Sequence, residues 1–302
     1  MRVDCHPDDI DTCHHWSIRR PLVVATIRGL RSDLIGLQEP SPTQARELQE
    51  DLGDTFGVAV EACNPEVWNG GKAPSGQDRD GNGFMWRKSR LRCDSIKTVW
   101  LNPVESKPWP KDSAPPWGAS PFQRTCVVGR FTELHGGRKI TAITAHFDHK
   151  HTDEVKEGGS EAQKQSAALV MRLAKMATQS DKADVVVVMG DFNTFKDRDG
   201  ACYQALVANA SSAGLVDVRD SGALEVDMGR GGGSWEGWPT NSWSRAKKPH
   251  LVQRYDQMFI STKVRAERTS VLEERYPIVY MGKRTYVYAS DHLPIFADVI
   301  LE

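Results

Sequence analysis

The sequence predicts an α+β fold, a mixed sandwich of strands and helices rather than a doubly wound parallel sheet. Strand-like and helix-like segments follow one another without strict βαβ order. Val185 to Met189 is a continuous apolar run, almost entirely valine, with the length and β-branched composition of a central strand buried on both faces. Ser160 to Ser180 places Ala167, Ala168, Val170, Met171, Leu173 and Ala174 on one side of a helix. The chain has 302 residues, of which 39% are hydrophobic, enough to bury a sizeable core, and neither disorder nor a collagen-like repeat fits that composition. Neither a repeat nor a long linker divides it, so a single domain over residues 1–302 is expected.

Taken in order, Ser17 is expected to cap a helix with Pro21 in its first turn, running through Leu22, Val23, Ile27 and Leu30. Asp33 to Gln38 reads as a short buried strand, and Ser41-Pro42 opens a second helix through Leu48 and Leu52. Gly70 to Gly83, rich in Gly, Asp and Lys, reads as a loop; Phe84 to Trp86 and Ile96 to Leu101 read as strands. Lys107 to Pro121 holds five prolines and two tryptophans and is too stiff and irregular for a regular element. Cys126 to Leu134 and Lys139 to Thr144 form a hairpin around His135-Gly136-Gly137, and Asp184 to Met189 follows the long helix as the central strand. Met258 to Ile260, Val264 to Leu272 and Ile295 to Leu301 supply further strands.

Lys and Arg number 39 against 40 Asp and Glu, a formal net charge of −1. That balance argues against a wholesale basic coat for nucleic acid, while leaving room for a local basic groove. There is no apolar run long enough to span a bilayer. The polar, acidic opening residues carry no basic segment followed by an apolar one, so a soluble and cytoplasmic protein is expected, with the compartment left open. Six cysteines lack a CxxC pair, which disfavours structural zinc; free thiols are expected, with a local Cys5–Cys13 disulfide as the alternative for an exported protein.

Polar residues interrupt the strands at their ends. Glu39 closes one apolar strand, His146 and Asp148 follow another, Gly190-Asp191-Phe192-Asn193 follows the valine run, and Asp291-His292 precedes the last strand. Sheet proteins collect sites at strand ends, and Glu39, Asp191 and Asp291 offer the oxygen ligands a hard divalent cation takes. Four motifs in order carry a resemblance: Leu37-Gln38-Glu39, Thr144 to His149 (TAHFDH), Gly190 to Asn193 (GDFN) and Ser290 to Pro294 (SDHLP). With Arg254-x-Asp256, Ser17 to Val23, Phe84 to Leu91 and Trp117 to Arg124 between them, the chain resembles the endonuclease/exonuclease/phosphatase superfamily, of DNase I-like fold, along essentially its whole length.

The resemblance implies a four-layer α/β/β/α sandwich of two mixed sheets. The family's opening strand aligns ahead of Met1, so that strand and its site Asn are expected to be missing. It implies a hydrolase that activates water against a phosphoester, as a phosphodiesterase, nuclease or phosphatase, with Mg²⁺ or Mn²⁺ as cofactor. Glu39 is then the principal metal ligand and Asp291 a second metal or water ligand. Asp191 orients or deprotonates the water, Asn193 holds phosphoryl oxygens, His146 contacts the phosphate, and His292, oriented by Asp256, stabilises charge. The substrate is a phosphoester in nucleic acid, lipid or a small metabolite, chosen by loops such as Lys107 to Pro121 and Arg230 to His250. A scaffold that binds a phosphorylated ligand without turnover is the competing reading. Zinc at the His-rich stretch His146 to His151 is weaker than the motif explanation, and the tryptophans at 100, 109, 117, 235, 238 and 243 are equally groove or packing residues.

Overall fold

A computed structural model of the protein describes residues 14–69, 80–110, 113–149, 160–195, 200–226, 233–235 and 254–301. Helix α1 spans Trp16–Leu30 and is capped by His15 rather than Ser17, because the His15 ring accepts the Ser17 N–H at 3.2 Å. Strand β1 is Leu34–Gln38. Helix α2 (Pro42–Leu52) starts as expected at Ser41, whose hydroxyl accepts the Gln44 N–H while Gln44 returns the favour to the Ser41 N–H.

Strand β2 (Phe56–Ala62), the single-turn α3 (Pro65–Trp68) and an early start to β3 (Gly81–Arg87) were not legible. The glycines of β3 read as loop, yet Gly83 is demanded by the pairing: a Cβ there would lie 2.1 Å from the Ala59 carbonyl oxygen of β2. Strand β4 (Leu91–Trp100) also begins earlier than expected, and β5 (Thr125–Glu133) and β6 (Lys139–His146) form the expected hairpin. Helix α4 (Glu161–Gln179) leads into β7 (Val185–Asp191). Then follow α5 (Gly200–Ser212), β8 (Leu215–Asp217), β9 (Leu224–Glu225), β10 (Asp256–Ser261), β11 (Arg265–Val271), the hairpin β12 (Tyr276–Tyr280) and β13 (Lys283–Val287), and β14 (Ile295–Ile300). Of these, α5, the short strands β8 and β9, and the hairpin had escaped the sequence reading.

Six strands form one sheet in the order β4-β5-β6-β7-β10-β8, with β7 well inside it, as its valines require. Its β6–β7 pair is parallel and its other pairs are antiparallel. Two three-stranded sheets, β1-β3-β2 and β14-β11-β9, lie against one of its faces. Phe84, Val127, Phe131, Ile140 and Val185 fill the space between β1-β3-β2 and the large sheet, and Ile260, Ala266 and Val299 do so beneath β14-β11. On the far side of the large sheet, Leu169, Val170 and Met171 of α4 and Leu206 of α5 pack on Ile143, Val188 and Phe259. Val23, Ile27, Leu48 and Leu52 of α1 and α2 cover the outside of β1 and β3. The order of layers is helix, sheet, sheet, helix.

Between the facing edges of β1 and β14 runs a cavity of about 690 Å³, floored by Val185, Val187, Met189 and Met258 and reaching Asp256 and His292 at one end. Among the described residues no strand lies between those two edges. The expected position of the missing opening strand falls ahead of the described residues, and Cys5, Cys13, Trp238 and Trp243 lie outside them. Cys63, Cys93, Cys126 and Cys202 are not in disulfides, and burial pushes Cys126 up to about 12. No described helix is long and apolar enough to cross a membrane.

Candidate active site

Period-two alternation decides which strand residues face the space between the sheets. On β6 the even positions Ile140 and Ala142 point there and Ile143 and Ala145 point to the helices, so His146 continues the inward row. On β7 Val185 points inward and Val186 and Val188 point outward, which carries Asp191 inward. On β10 Ile260 points inward and Phe259 outward, which carries Asp256 inward. Register then aligns them: His146 is the partner of Asp191, and Asp191 the partner of Asp256. Three side chains from three adjacent strands stand in a row at one end of the sheet.

β1 delivers Glu39 to the same end from across the interface, where Gln38 donates to the Thr144 hydroxyl at 2.7 Å. Glu39 and Asn193 both have positive φ, 59° and 49°, uncommon for residues other than glycine and concentrated at functional sites. The Ser234 hydroxyl accepts the Asp256 N–H at 2.9 Å and the Ser234 carbonyl accepts the Leu293 N–H at 2.7 Å, so one short segment ties β10 to the residues before β14. That brings His292 over Asp256, with its Nδ1 donating to Asp256 Oδ2 at 2.7 Å.

Asp191 Oδ2 lies 3.6 Å from His146 Nε2 and 3.7 Å from His292 Nε2, and His146 Nδ1 lies 3.7 Å from Glu39 Oε1. Asn193 is held at three points: its backbone N–H donates to Asp191 Oδ1, one hydrogen of its side-chain amide to the Phe147 carbonyl, and its backbone carbonyl accepts from Gln163. Among the described residues two groups could hold a metal ion, Glu39 with Asp80 and His146, and Asp191 with Asp256 and His292. Asp291 belongs to neither group; it is buried next to His292, where its charge acts on His14.

Asp80 was missed because it sits in the stretch read as loop. The signal for it is a matter of register: β1 Gln38 pairs with β3 Asn82, and the Gly81 N–H donates to the Pro40 carbonyl at 3.1 Å, which sets Asp80 beside Glu39. Of the tryptophans, Trp235 packs edge-on to Tyr255 at 5.9 Å next to the site, and Trp117 packs on the helical face of the core.

Burial raises Asp191 to about 7, and the Asp256 and Glu39 charges add to that while His292 opposes it. Burial, with Arg124 and His292, holds His146 well below the ordinary range, so it is a neutral imidazole. Burial also disfavours the charged form of His292, but Asp256, Asp191 and Asp291 outweigh it and hold the group up at about 10. The row is therefore a neutral imidazole, a carboxyl that titrates near neutrality, and an imidazolium.

Replacing Asp256 by Asn removes the strongest support of that imidazolium, and the His292 ring should titrate well below its value in the parent. The sign for stability follows. A histidine raised on folding contributes fully below its unfolded pKa near 6.5 and loses that contribution as pH rises through about 10. The melting temperatures of D256N and the parent should differ most at pH 6 and converge above pH 10; ring titration by NMR and paired melting curves check both statements.

Among curated proteins none matches this sequence. Solved structures do match in fold. A mannosyl-6-phosphatase of Bacteroides thetaiotaomicron is 20% identical, with 99% of this chain and 96% of that one covered and a TM-score of 0.77. The human Nocturnin catalytic domain with bound sulfate is 15% identical over 95% and 88%, TM-score 0.64. D. rerio TDP2 in complex with a single-strand DNA product is 15% identical over 95% and 93%, TM-score 0.59. The helix–sheet–sheet–helix layering is thus the DNase I-like sandwich that the motif order implied. Residues 14–292 match the profile of the Endonuclease/Exonuclease/phosphatase family, and the chain belongs to that family.

Proposed function

We propose that the protein is a divalent-metal-dependent phosphoester hydrolase. The observation that carries this reading is the convergence of Glu39, His146, Asp191, Asp256 and His292 from separate strand ends on one place, with the buried Asp191 carboxyl lifted to about 7. Family membership supports it, as do structural relatives that include a mannosyl-6-phosphatase and a protein in complex with a single-strand DNA product.

The donors fit a metal. Glu39 and Asp80 offer the hard oxygens that suit Mg²⁺ or Mn²⁺, with His146 a neutral nitrogen beside them; Asp291 adds a carboxylate nearby for a second ion or a water. A bound ion supplies Lewis-acid polarisation of a phosphoryl oxygen. The protein residues do the rest. Asp191 takes a proton from the attacking water, Asn193 fixes the phosphoryl group through its amide, and the His292 imidazolium, held by Asp256, faces the charge that develops as the ester oxygen leaves.

Hydrolysis of p-nitrophenyl phosphate and bis-p-nitrophenyl phosphate with Mg²⁺, Mn²⁺ or EDTA tests the reading. Turnover should require metal and fall at least about 100-fold in EDTA. Equal rates in EDTA would overturn it, and silence on both esters together with no metal binding by calorimetry would leave the ligand-binding scaffold instead.

A further inference from the structure

Arg124 has no part in the roles above, yet it stands against them. It lies one residue ahead of β5, and its Nη1 is 2.9 Å from Nδ1 and 3.1 Å from Nε2 of His146, while Nη2 is 3.0 Å from Nδ1 of His149. Phe122 flanks both, with its ring 5.6 Å from the guanidinium carbon and 5.2 Å from the His149 ring. The Arg124 Nε is buried and has no hydrogen-bond partner among the described residues. A guanidinium cannot shed its proton, and its partners here are imidazoles, so what would complete it is an anion.

The guanidinium is also held in place relative to the catalytic row. Asp148 Oδ2 accepts the Ser120 N–H at 3.0 Å and the Ser120 hydroxyl, which pins the segment leading to Arg124. Gln163 donates to the carbonyls of both Asp148 and Asn193 at 2.9 Å each. The Arg124 carbonyl accepts the Leu101 N–H at 2.8 Å. One buried glutamine thus ties the arginine segment to the residue two positions after Asp191.

Resting on the hydrolase reading, we infer that Arg124, with His149 beside it, receives the terminal oxygens of a phosphate monoester and makes the site selective for monoesters. His292 stands on one side of Asp191 and His146 on the other, with Arg124 beyond His146. A phosphoryl group over Asp191 therefore directs an oxygen at Arg124. A monoester near pH 7 carries a charge of about −1.5 to −2 and three terminal oxygens, which a guanidinium fork matches. A diester carries one charge fewer and must place its second organic group where the guanidinium is. Asp148 is a positioning residue that acts through Ser120.

The test compares the parent with R124K, R124M and D148N, each with Mn²⁺ and checked for an unchanged melting curve. It measures kcat and KM for p-nitrophenyl phosphate and bis-p-nitrophenyl phosphate, and inorganic phosphate binding by calorimetry. The parent should prefer the monoester. R124M should lose about 10- to 100-fold in kcat/KM for the monoester and a like factor in phosphate affinity, with the diester changed less than about 3-fold. R124K should recover part of the loss, and D148N should raise KM and weaken phosphate with little change in kcat. Equal losses on both esters, or phosphate binding indifferent to Arg124, would overturn the inference. If the parent hydrolyses neither ester, metal binding decides the hydrolase reading separately and phosphate alone decides the anion site: binding that is lost in R124M still supports it, and binding that persists removes it.

Discussion

Asp191→Ala is expected to lower kcat for either ester by about 10³-fold, within the range that a positioned base contributes, and to leave the protein folded. Asp191 is buried between two imidazoles, at the centre of the row built by β6, β7 and β10. A water proton has no other carboxylate so placed among the described residues except Asp256, which is occupied by His292. The same burial makes Asp191 a burden on stability. A carboxyl whose pKa is raised on folding, here to about 7, weighs nothing below its unfolded value near 3.9, grows between the two values, and acts fully above 7. In EDTA, Asp191→Asn should therefore be more stable than the parent at pH 8 by a few kcal/mol, with the gain fading toward pH 4. Activity of D191A within tenfold of the parent, or a variant less stable at pH 8, would contradict the role assigned to this carboxylate.

The second large effect is expected at Gly190→Ala, in stability rather than chemistry. Gly190 has φ of 152°, and a Cβ built there would lie 2.0 Å from the Ala145 carbonyl oxygen in the parallel β6–β7 ladder. That oxygen belongs to backbone at the middle of a packed sheet and cannot swing aside. A single methyl group should cost at least about 3 kcal/mol, as backbone strain and a disrupted ladder together do. Melting curves and soluble yield would show it, and a melting temperature within a degree of the parent would refute it. The glycine of the Gly-Asp-Phe-Asn motif is thus explained by packing, next to the aspartate to which the proposal assigns the proton transfer.

The strands that bear the site were legible because their composition admits one reading. Val185 to Met189 has no polar face, so it had to lie inside a sheet, and the residues that end it had to emerge together at one edge. Strand β2 and helix α5 were illegible for the opposite reason. Phe56 to Ala62 mixes small, apolar and acidic residues without a clean alternation, and the hydrogen bonds to β3 alone make it a strand. Gly200 to Ser212 buries only Cys202, Leu206 and Ala210 and shows little amphipathic contrast.

The candidate residues divide in the same way. Glu39, His146, Asp191, Asn193, Asp291 and His292 could be named from the sequence, because each interrupts or ends an apolar strand within a motif, and Asp256 through the family resemblance of Arg254-x-Asp256. Their roles with respect to one another could not. Asp80 joins Glu39 only because β1 and β3 pair in one register, and Arg124 reaches His146 and His149 only because the segment before β5 is pinned by Asp148. Charge was likewise beyond the sequence: His146 and His292 are the same residue type, yet one is held neutral by burial and a guanidinium and the other charged by three carboxylates. Local pattern determined the α+β class, the central strand and the set of candidate side chains, since strand composition and motif spacing are properties of short stretches. Register, packing and the resulting fields decided which of them meet and in what protonation state, since those are set by distances between residues far apart in the chain.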